Sequence, residues 1–202
     1  MSDAIAVAIT GASGAAYALR LVEQLLAAGR EVQLMLSQAG QVVVNMETDL
    51  RLPSDTAGQQ QALVSHFGCA PERLRVFGRQ QWLAPVASGT NPPAAMVVCP
   101  CTTGTLASIA NGICDDLIDR AADVALKERR PLILVLRETP YSAIHLRNML
   151  RLTEAGTTIL PANPGFYFRP QTVQELVDFV VARVLDHLGV PHELTARWGE
   201  DR

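Results

Sequence analysis

The fold of this 202-residue chain follows from one stretch near its start, Ile5-Ala6-Val7-Ala8-Ile9-Thr10-Gly11-Ala12-Ser13-Gly14. An apolar run breaks into small residues and then into an alanine-rich helical pattern, which predicts a strand, a tight turn and a helix start. Gly11 and Gly14 let the backbone turn sharply and approach a ligand, and the first-turn amides of a helix favour an anion. The stretch therefore predicts a phosphate or nucleotide site, with an ordinary tight turn as the alternative.

The end of the second predicted strand indicates which nucleotide is bound. The first turn reads G-x-x-G and lacks the G-x-G-x-x-G spacing of dinucleotide sites. The acidic residue that binds the adenosine ribose in those sites is also missing, because the strand at about 32–36 ends in Ser37. This pattern favours a mononucleotide over NAD.

Composition and charge exclude several classes of protein. Hydrophobic residues make up 49% of the chain and aromatic residues 5%, which is typical of close-packed helices on a buried parallel sheet. The formal net charge is −3, so we expect no nucleic-acid partner, and no apolar run has the length of a membrane helix. The start Met1-Ser2-Asp3 carries no leader pattern, so we expect a cytoplasmic protein.

The four cysteines are expected to be reduced thiols. Cys99-Pro100-Cys101 resembles part of a metal site, but the four histidines show no matching paired spacing, so we expect no metal and buried cysteines at a strand end.

Strand and helix patterns alternate along the chain, which predicts a single domain over 1–202. We expect a three-layer α/β fold, Rossmann-like or flavodoxin-like, with helices on both faces of a parallel sheet. Strands are predicted at Ile5–Ile9, 32–36, 74–77, 96–99, 132–136 and 158–160, and helices at 37–47, 59–67, from 102, at 142–152 and at 172–188. The breaker-rich segment 84–93 is predicted to be an irregular functional loop.

Polar residues follow several of these strands, where open α/β sheets bind ligands. Thr102-Thr103-Gly104-Thr105 opens a helix, and its hydroxyls can cap that helix or bind a phosphate. Arg137-Glu138 follows the strand at 132–136, and Thr172 is predicted as an N-cap with Glu175 completing a capping box. In the tail from about 190, Trp198 is expected to dock on a neighbouring surface.

Six motifs in order resemble those of the UbiX-type flavin prenyltransferases, a family of flavodoxin-like flavoproteins, over residues 5 to about 200. The motifs are 10–14 (TGASG), 85–89 (PVASG), 98–106 (VCPCTTGTL), 120–128 (RAADVALKE), 136–140 (LRETP) and 164–167 (PGFY). Related flavoprotein cysteine decarboxylases resemble the chain in the first turn and fold, but 123–128 and 137–138 look like the prenyltransferase branch.

The resemblance implies that FMN is bound as a reduced substrate and receives a dimethylallyl group from dimethylallyl monophosphate at N5 and C6. The product, prenylated FMN, would serve a UbiD-type decarboxylase, and we interpret the carboxy-lyase label given to some members as naming that partner's reaction. The resemblance also implies a homo-oligomer, a dodecamer, with active sites at subunit contacts.

The resemblance also implies roles for individual residues. FMN would contact Gly11, Ala12, Ser13, Ser37, Thr102, Thr103, Gly104, Thr105 and Arg137. The prenyl phosphate would contact Tyr167 and Arg183. The same pocket would be lined by Lys127, Arg120, Glu47 and Glu138. The catalytic candidates are Glu138, Lys127, Glu47 and Ser13.

The chemistry of these residue types agrees with that assignment. Departure of a prenyl phosphate leaves an allylic cation and phosphate, so the site must neutralise negative charge without a metal and exclude water. Trp82 or Trp198 can present an aromatic face to the cation, and Glu138 can move the proton that N5 or C6 loses. Two alternatives stay open: a flavin-dependent decarboxylase of the cysteine decarboxylase type, and a non-catalytic FMN carrier.

Overall fold

The computed structural model describes residues 3–197 and 199 as six strands and seven helices. The strands are β1 Ile5–Ile9, β2 Val32–Leu36, β3 Leu74–Phe77, β4 Ala95–Cys101, β5 Leu132–Leu136 and β6 Thr158–Pro161. The helices are α1 Ala15–Ala27, α2 Gln38–Glu47, α3 Thr56–Phe67, α4 Thr103–Ala110, α5 Leu117–Lys127, α6 Ala143–Glu154 and α7 Val173–Leu188.

All six strands form one parallel sheet in the order β3-β2-β1-β4-β5-β6. In β1, Ile5 pairs with Val32 on one side and with Ala95 on the other. The chain winds outward in opposite directions from β1 and β4, so the topological switch point lies between these two strands. Open α/β sheets bind ligands in the crevice at the carboxyl ends of such strands.

Two apolar cores cover the two faces of the sheet, as alternation along a strand requires. Ile5, Val7 and Ile9 of β1 face a core built with α1, α2, α3 and α7. Ala6 and Ala8 face the other core, which contains residues of α4, α5 and α6. The predicted three-layer α/β arrangement, with helices on both faces of a parallel sheet, is confirmed.

Several boundaries differ from the sequence prediction for local reasons. Helix α3 begins at Thr56 rather than 59, because the Asp55 carboxylate accepts from Gly58 N at 2.8 Å and caps it. Strand β4 continues to Cys101, and the segment 84–93 contains a short 3-10 helix at Pro85–Ala87.

The predicted capping box at the start of α7 forms only in part. Thr172 Oγ1 accepts from Glu175 N at 3.2 Å, as expected of an N-cap. The Glu175 carboxylate accepts from Gln171 N at 2.6 Å, one residue before the cap. Among the described helices, none is both long and apolar enough to cross a lipid bilayer.

Candidate active site

The crevice at the switch point is held together by the side chain of Thr10, which is 2% exposed. Its hydroxyl donates to Pro100 O at 2.7 Å and accepts from Thr102 N at 2.9 Å. One side chain therefore ties the turn after β1 to the turn after β4, which carry two of the predicted FMN-binding motifs.

The turn after β1 packs closely on α2. A Cβ built at Gly11 would lie 2.4 Å from Ala39 Cβ, and one built at Gly40 would lie 2.3 Å from Ile9 O. Ala12 is buried and Ser13 is exposed. Glycine at 11 and 40 thus allows β1, its turn and α2 to meet without a side chain between them.

The first-turn amides of α1, expected to face a ligand anion, are instead occupied by Glu47. Gly14 N and Ala15 N both donate to Glu47 Oε2 at 2.8 Å. Burial would raise the pKa of Glu47, but hydrogen bonds from Ser13, Gly14 and Ala15 and the charge of Arg137 outweigh it, so the pKa is lowered. An ionised carboxylate therefore occupies the position where a Rossmann fold binds a dinucleotide pyrophosphate.

The turn after β4 and the start of α2 provide other positions for a phosphate. Thr102 caps α4, and its Oγ1 accepts from Thr105 N at 3.0 Å, while Ser37 Oγ caps α2 by accepting from Gly40 N at 2.9 Å. The amides of the first helical residues, among them those of Thr103 and Gly104, have no partner within a helix. Hydroxyls and amides at these two helix starts suit the phosphate of a mononucleotide.

Arg137 and Glu138 close the crevice from the end of β5. Arg137 Nε donates to Ser13 O at 3.3 Å, and Thr103 Oγ1 lies 3.5 Å from Glu138 Oε2. Glu138 Oε1 also accepts from Thr139 N at 3.0 Å, which fixes the carboxyl group beside the turn after β4. The structure thus brings together the residues predicted to contact FMN with Glu47 and Glu138.

Lys127 and Arg120 both belong to α5 and lie beside the segment at 87–89. Lys127 ends α5 and precedes β5, so it lies at the amino edge of the sheet, opposite the crevice. Its Nζ lies 2.5 Å from Glu128 Oε1, and a Cβ at Gly89 would lie 2.7 Å from that Nζ. Arg120 Nε donates to Ala87 O at 3.1 Å. A single chain therefore does not bring Lys127 to the crevice, and the expectation that it lines the same pocket requires a neighbouring subunit.

Tyr167 and Arg183 line a third region, a cavity of about 300 Å³ between α7, the loop before it and the segment after it. Gly165 allows this loop to approach α7, because a Cβ there would lie 2.7 Å from Phe179 Cζ. Tyr167 is 76% exposed, and Arg183 Nη1 pairs with Asp186 Oδ2 at 2.7 Å. The two residues predicted to bind the prenyl phosphate thus line one cavity.

The remaining residues noted in the sequence are the cysteines of β4 and two tryptophans. Cys99 and Cys101 are buried in β4, as predicted, and burial raises the pKa of both thiols. Within 3–197 and 199, no group of three or more His, Cys, Asp or Glu residues is placed to hold a metal. Trp82 is 43% exposed in the segment between β3 and β4. The predictions for Trp198 concern a position outside the described residues.

The sequence reasoning missed three contributors to these regions. It gave no role to the Thr10 hydroxyl, although a threonine at the end of an apolar strand is a signal for a buried hydrogen bond. It did not identify Asp186, although the spacing of three residues from Arg183 places both on one helix face. Capping of α1 by Glu47 has no local signal, since the two elements are far apart in sequence.

Comparison with known proteins agrees with this geometry. A model of the family described as Flavoprotein matches residues 2–185. The chain is 55% identical over 198 residues to the flavin prenyltransferase UbiX of Pseudomonas aeruginosa, covering 98% of this chain and 95% of the relative.

Two solved structures extend the likeness to the whole fold. The structure of AnUbiX (PadA1) in complex with FMN and dimethylallyl pyrophosphate is 37% identical, covers 100% of both chains and superposes with a TM-score of 0.88. A dodecameric FMN-dependent UbiX-like decarboxylase from Escherichia coli O157:H7 is 35% identical, with coverage of 98% of this chain and 100% of that one and a TM-score of 0.86.

The cysteine decarboxylases, which were one alternative, resemble this chain in fold alone. The FMN-dependent cysteine decarboxylase TvaF from thioviridamide biosynthesis is 19% identical with a TM-score of 0.59. The motif series, the crevice and the relatives agree, and the chain belongs to the flavoproteins and, within them, to the UbiX flavin prenyltransferase family.

Proposed function

We propose that this chain transfers the dimethylallyl group of dimethylallyl monophosphate to N5 and C6 of reduced FMN, giving prenylated FMN for a UbiD-type decarboxylase. The observation that carries the proposal is the convergence of Ser37, the 102–105 turn and Arg137 on the switch-point crevice, while Glu47 occupies the dinucleotide position. The names of the relatives support the same activity.

In this proposal the hydroxyl-rich helix starts hold the FMN phosphate, and Gly11, Ala12 and Ser13 line the flavin. Arg137 bridges to Ser13 O and so joins the end of β5 to the turn after β1. These groups are fixed by hydrogen bonds before any ligand arrives, which reduces the ordering cost of binding.

Glu138 is the residue we propose for proton movement. In the transfer, the carbon–oxygen bond to phosphate breaks, phosphate leaves with the electron pair, and N5 bonds to the allylic carbon and loses its proton. A proton then adds to the remaining carbon–carbon double bond, and the cation so formed bonds to C6, which loses its proton in turn. Glu138 is anchored through Oε1, and its Oε2 lies 3.5 Å from the Thr103 hydroxyl. A carboxyl group held beside the flavin suits general acid–base work.

Charge in the crevice supports a contribution from a second subunit. Glu47 and Glu138 provide two carboxylates there and Arg137 one guanidinium, a balance that does not neutralise a departing phosphate. We propose that Lys127 and Arg120 of a neighbouring subunit complete the donor site with Tyr167 and Arg183, within a dodecamer like that described for the Escherichia coli relative. Sedimentation of a monomer at micromolar concentration would contradict this assembly.

Exposed apolar side chains support self-association. Met46 is 78% exposed, Leu83 100% and Ile144 66%, on three different parts of the surface. Because a monomer gains nothing from such exposure, covering these side chains with other copies of the chain is favourable. We also propose a cytoplasmic location, since all four cysteines are free thiols in the structure.

The deciding experiment incubates the protein with reduced FMN and dimethylallyl monophosphate without oxygen, then measures the mass and visible spectrum of the extracted flavin. We expect flavin heavier by one prenyl unit and a changed spectrum. Parallel reactions with dimethylallyl diphosphate identify the phosphorylation state of the donor. Unmodified FMN with both donors would refute the transferase, and FMN binding that is insensitive to donor would favour the carrier or the decarboxylase.

A further inference from the structure

Asp186 joins Arg183 to the chain segment that follows α7. Arg183 Nη1 lies 2.7 Å from Asp186 Oδ2, one helical turn away. The other carboxylate oxygen, Oδ1, accepts from Arg197 Nη1 at 3.0 Å and lies 3.2 Å from His192 Nε2. One oxygen of Asp186 therefore faces the cavity residue Arg183, and the other faces the segment 192–197.

His192 is the buried member of this group of contacts, since its side chain is only 2% exposed. Its Nδ1 accepts from Leu194 N at 3.3 Å. A ring nitrogen that accepts carries no proton, so in the neutral ring Nε2 carries it and donates to Asp186. The carboxylate is therefore held by a buried donor even when His192 is neutral.

The charges around Asp186 keep it ionised. Burial would raise the pKa of Asp186, but the hydrogen bond from His192 and the charges of Arg197, His192 and Arg183 outweigh burial and lower it. Two guanidinium groups, those of Arg183 and Arg197, face this one carboxylate. The cavity therefore keeps a net positive charge and attracts a phosphate.

A fixed carboxylate also limits where Arg183 can point. The Arg183 side chain is 53% exposed, and an exposed arginine has many rotamers to lose when it binds a phosphate. Contact with Asp186 selects rotamers in which the guanidinium stays beside the cavity that Tyr167 also lines. Ordering the side chain before the ligand arrives lowers the cost of binding.

We propose that Asp186, itself held by His192 and Arg197, is a positioning residue that orients Arg183 for the phosphate of the prenyl donor. This inference rests on the proposed function, in which Arg183 binds that phosphate. It gives the segment 192–197 a part in donor binding. An ordinary surface ion pair of this spacing has no such effect, and Arg20 with Glu23 on α1 offers a matched example at 2.9 Å.

The test measures the dissociation constant of dimethylallyl monophosphate by calorimetry, with protein loaded with oxidised FMN so that no transfer occurs. Asp186→Asn keeps an oxygen that can accept from His192 and Arg197, but it presents an amide to Arg183. We expect donor binding about tenfold weaker, because a charge-assisted contact is lost, with unchanged FMN affinity. Glu23→Gln, the matched control, is expected to change neither affinity.

A double variant separates positioning from a general structural effect. If Asp186 acts through Arg183, adding Asp186→Asn to Arg183→Ala is expected to cause no further loss of donor affinity. Arg197→Gln alters an exposed side chain and is expected to weaken donor binding about threefold. If Asp186→Asn does not fold, Arg197→Gln is the variant used to test the proposal.

The possible results separate the positioning role of Asp186 from the proposed binding role of Arg183. The positioning role is overturned if Asp186→Asn binds the donor with unchanged affinity while Arg183→Ala still weakens binding. If Asp186→Asn does not fold, unchanged donor affinity in Arg197→Gln overturns the role in the same way. A further loss in the double variant overturns it as well. Full donor affinity in Arg183→Ala refutes the proposed role of Arg183 itself, and the inference fails with it.

Discussion

Gly11→Ala tests the close contact between the turn after β1 and α2. The added Cβ would lie 2.4 Å from Ala39 Cβ, whereas carbon atoms in good contact are ~3.5–4.0 Å apart. The two elements must therefore separate by about 1 Å or more. Such overpacking costs ~1–3 kcal/mol.

An effect of the substitution on the unfolded state offsets part of this packing cost. Gly11 has no left-handed φ that an alanine would strain, so the substitution also restricts the unfolded state, which is worth ~0.4–1 kcal/mol in favour of folding. We expect a net loss of about 1–2 kcal/mol, a fall of roughly 2–8 °C in melting temperature for a domain of this size. FMN affinity is expected to fall too, since the turn moves relative to Ser37.

Urea unfolding and an FMN titration of four proteins complete the test: the unaltered chain, Gly11→Ala, Ala39→Gly and the double variant. Ala39→Gly removes the clashing methyl group at a helix-propensity cost of up to ~1 kcal/mol. We therefore expect the double variant to be at least as stable as Gly11→Ala and to regain FMN affinity. Strictly additive losses would refute the contact as the cause.

Three further changes test other parts of the molecule. Glu138→Gln should bind FMN and donor normally yet lose roughly 10²–10⁴ in turnover in rapid-mixing kinetics; unaltered turnover would exclude Glu138 from the mechanism. Burial raises the pKa of Asp119 to about 6, so the folded state holds an extra proton and stability falls as the pH rises from about 4 to 6. Asp119→Asn should therefore gain ~1–2 kcal/mol at pH 7.5 and little at pH 4.5 in urea unfolding. Asp178→Asn disrupts a two-contact pair with Arg20 at 2.7 and 3.2 Å and should lose about 1–2 kcal/mol, whereas Glu23→Gln on the same arginine should change stability by less than ~0.5 kcal/mol.

Local patterns predicted most of the fold because they depend on neighbouring residues. The apolar runs at 5–9 and 132–136 match β1 and β5 at both ends. Thr172 is the N-cap that was predicted, and Thr102 takes the capping role that was one of two predicted for the hydroxyls of its turn. The start of α3 was placed too late, because the Asp55 cap lies in a polar segment with no apolar periodicity around it.

The site was harder to predict, because it depends on contacts between distant residues. Nothing near Glu47 indicates that its carboxylate caps α1, since Gly14 is 33 residues away. The position of Lys127 follows from topology, because a residue between a helix and the following parallel strand lies at the amino edge of the sheet, away from the crevice of its own chain. The sequence patterns identified residue types, and the winding of the chain decided which of them meet.

The Thr10 hydroxyl has a consequence for how the molecule moves. Loops that contact ligands usually open more readily than the core around them. Here both turns of the crevice share a buried side chain whose two hydrogen bonds, at 2.7 and 2.9 Å, cross between β1 and β4. The Thr102 amide should therefore exchange its hydrogen as slowly as the amides of the central strands, and the two turns should open only together.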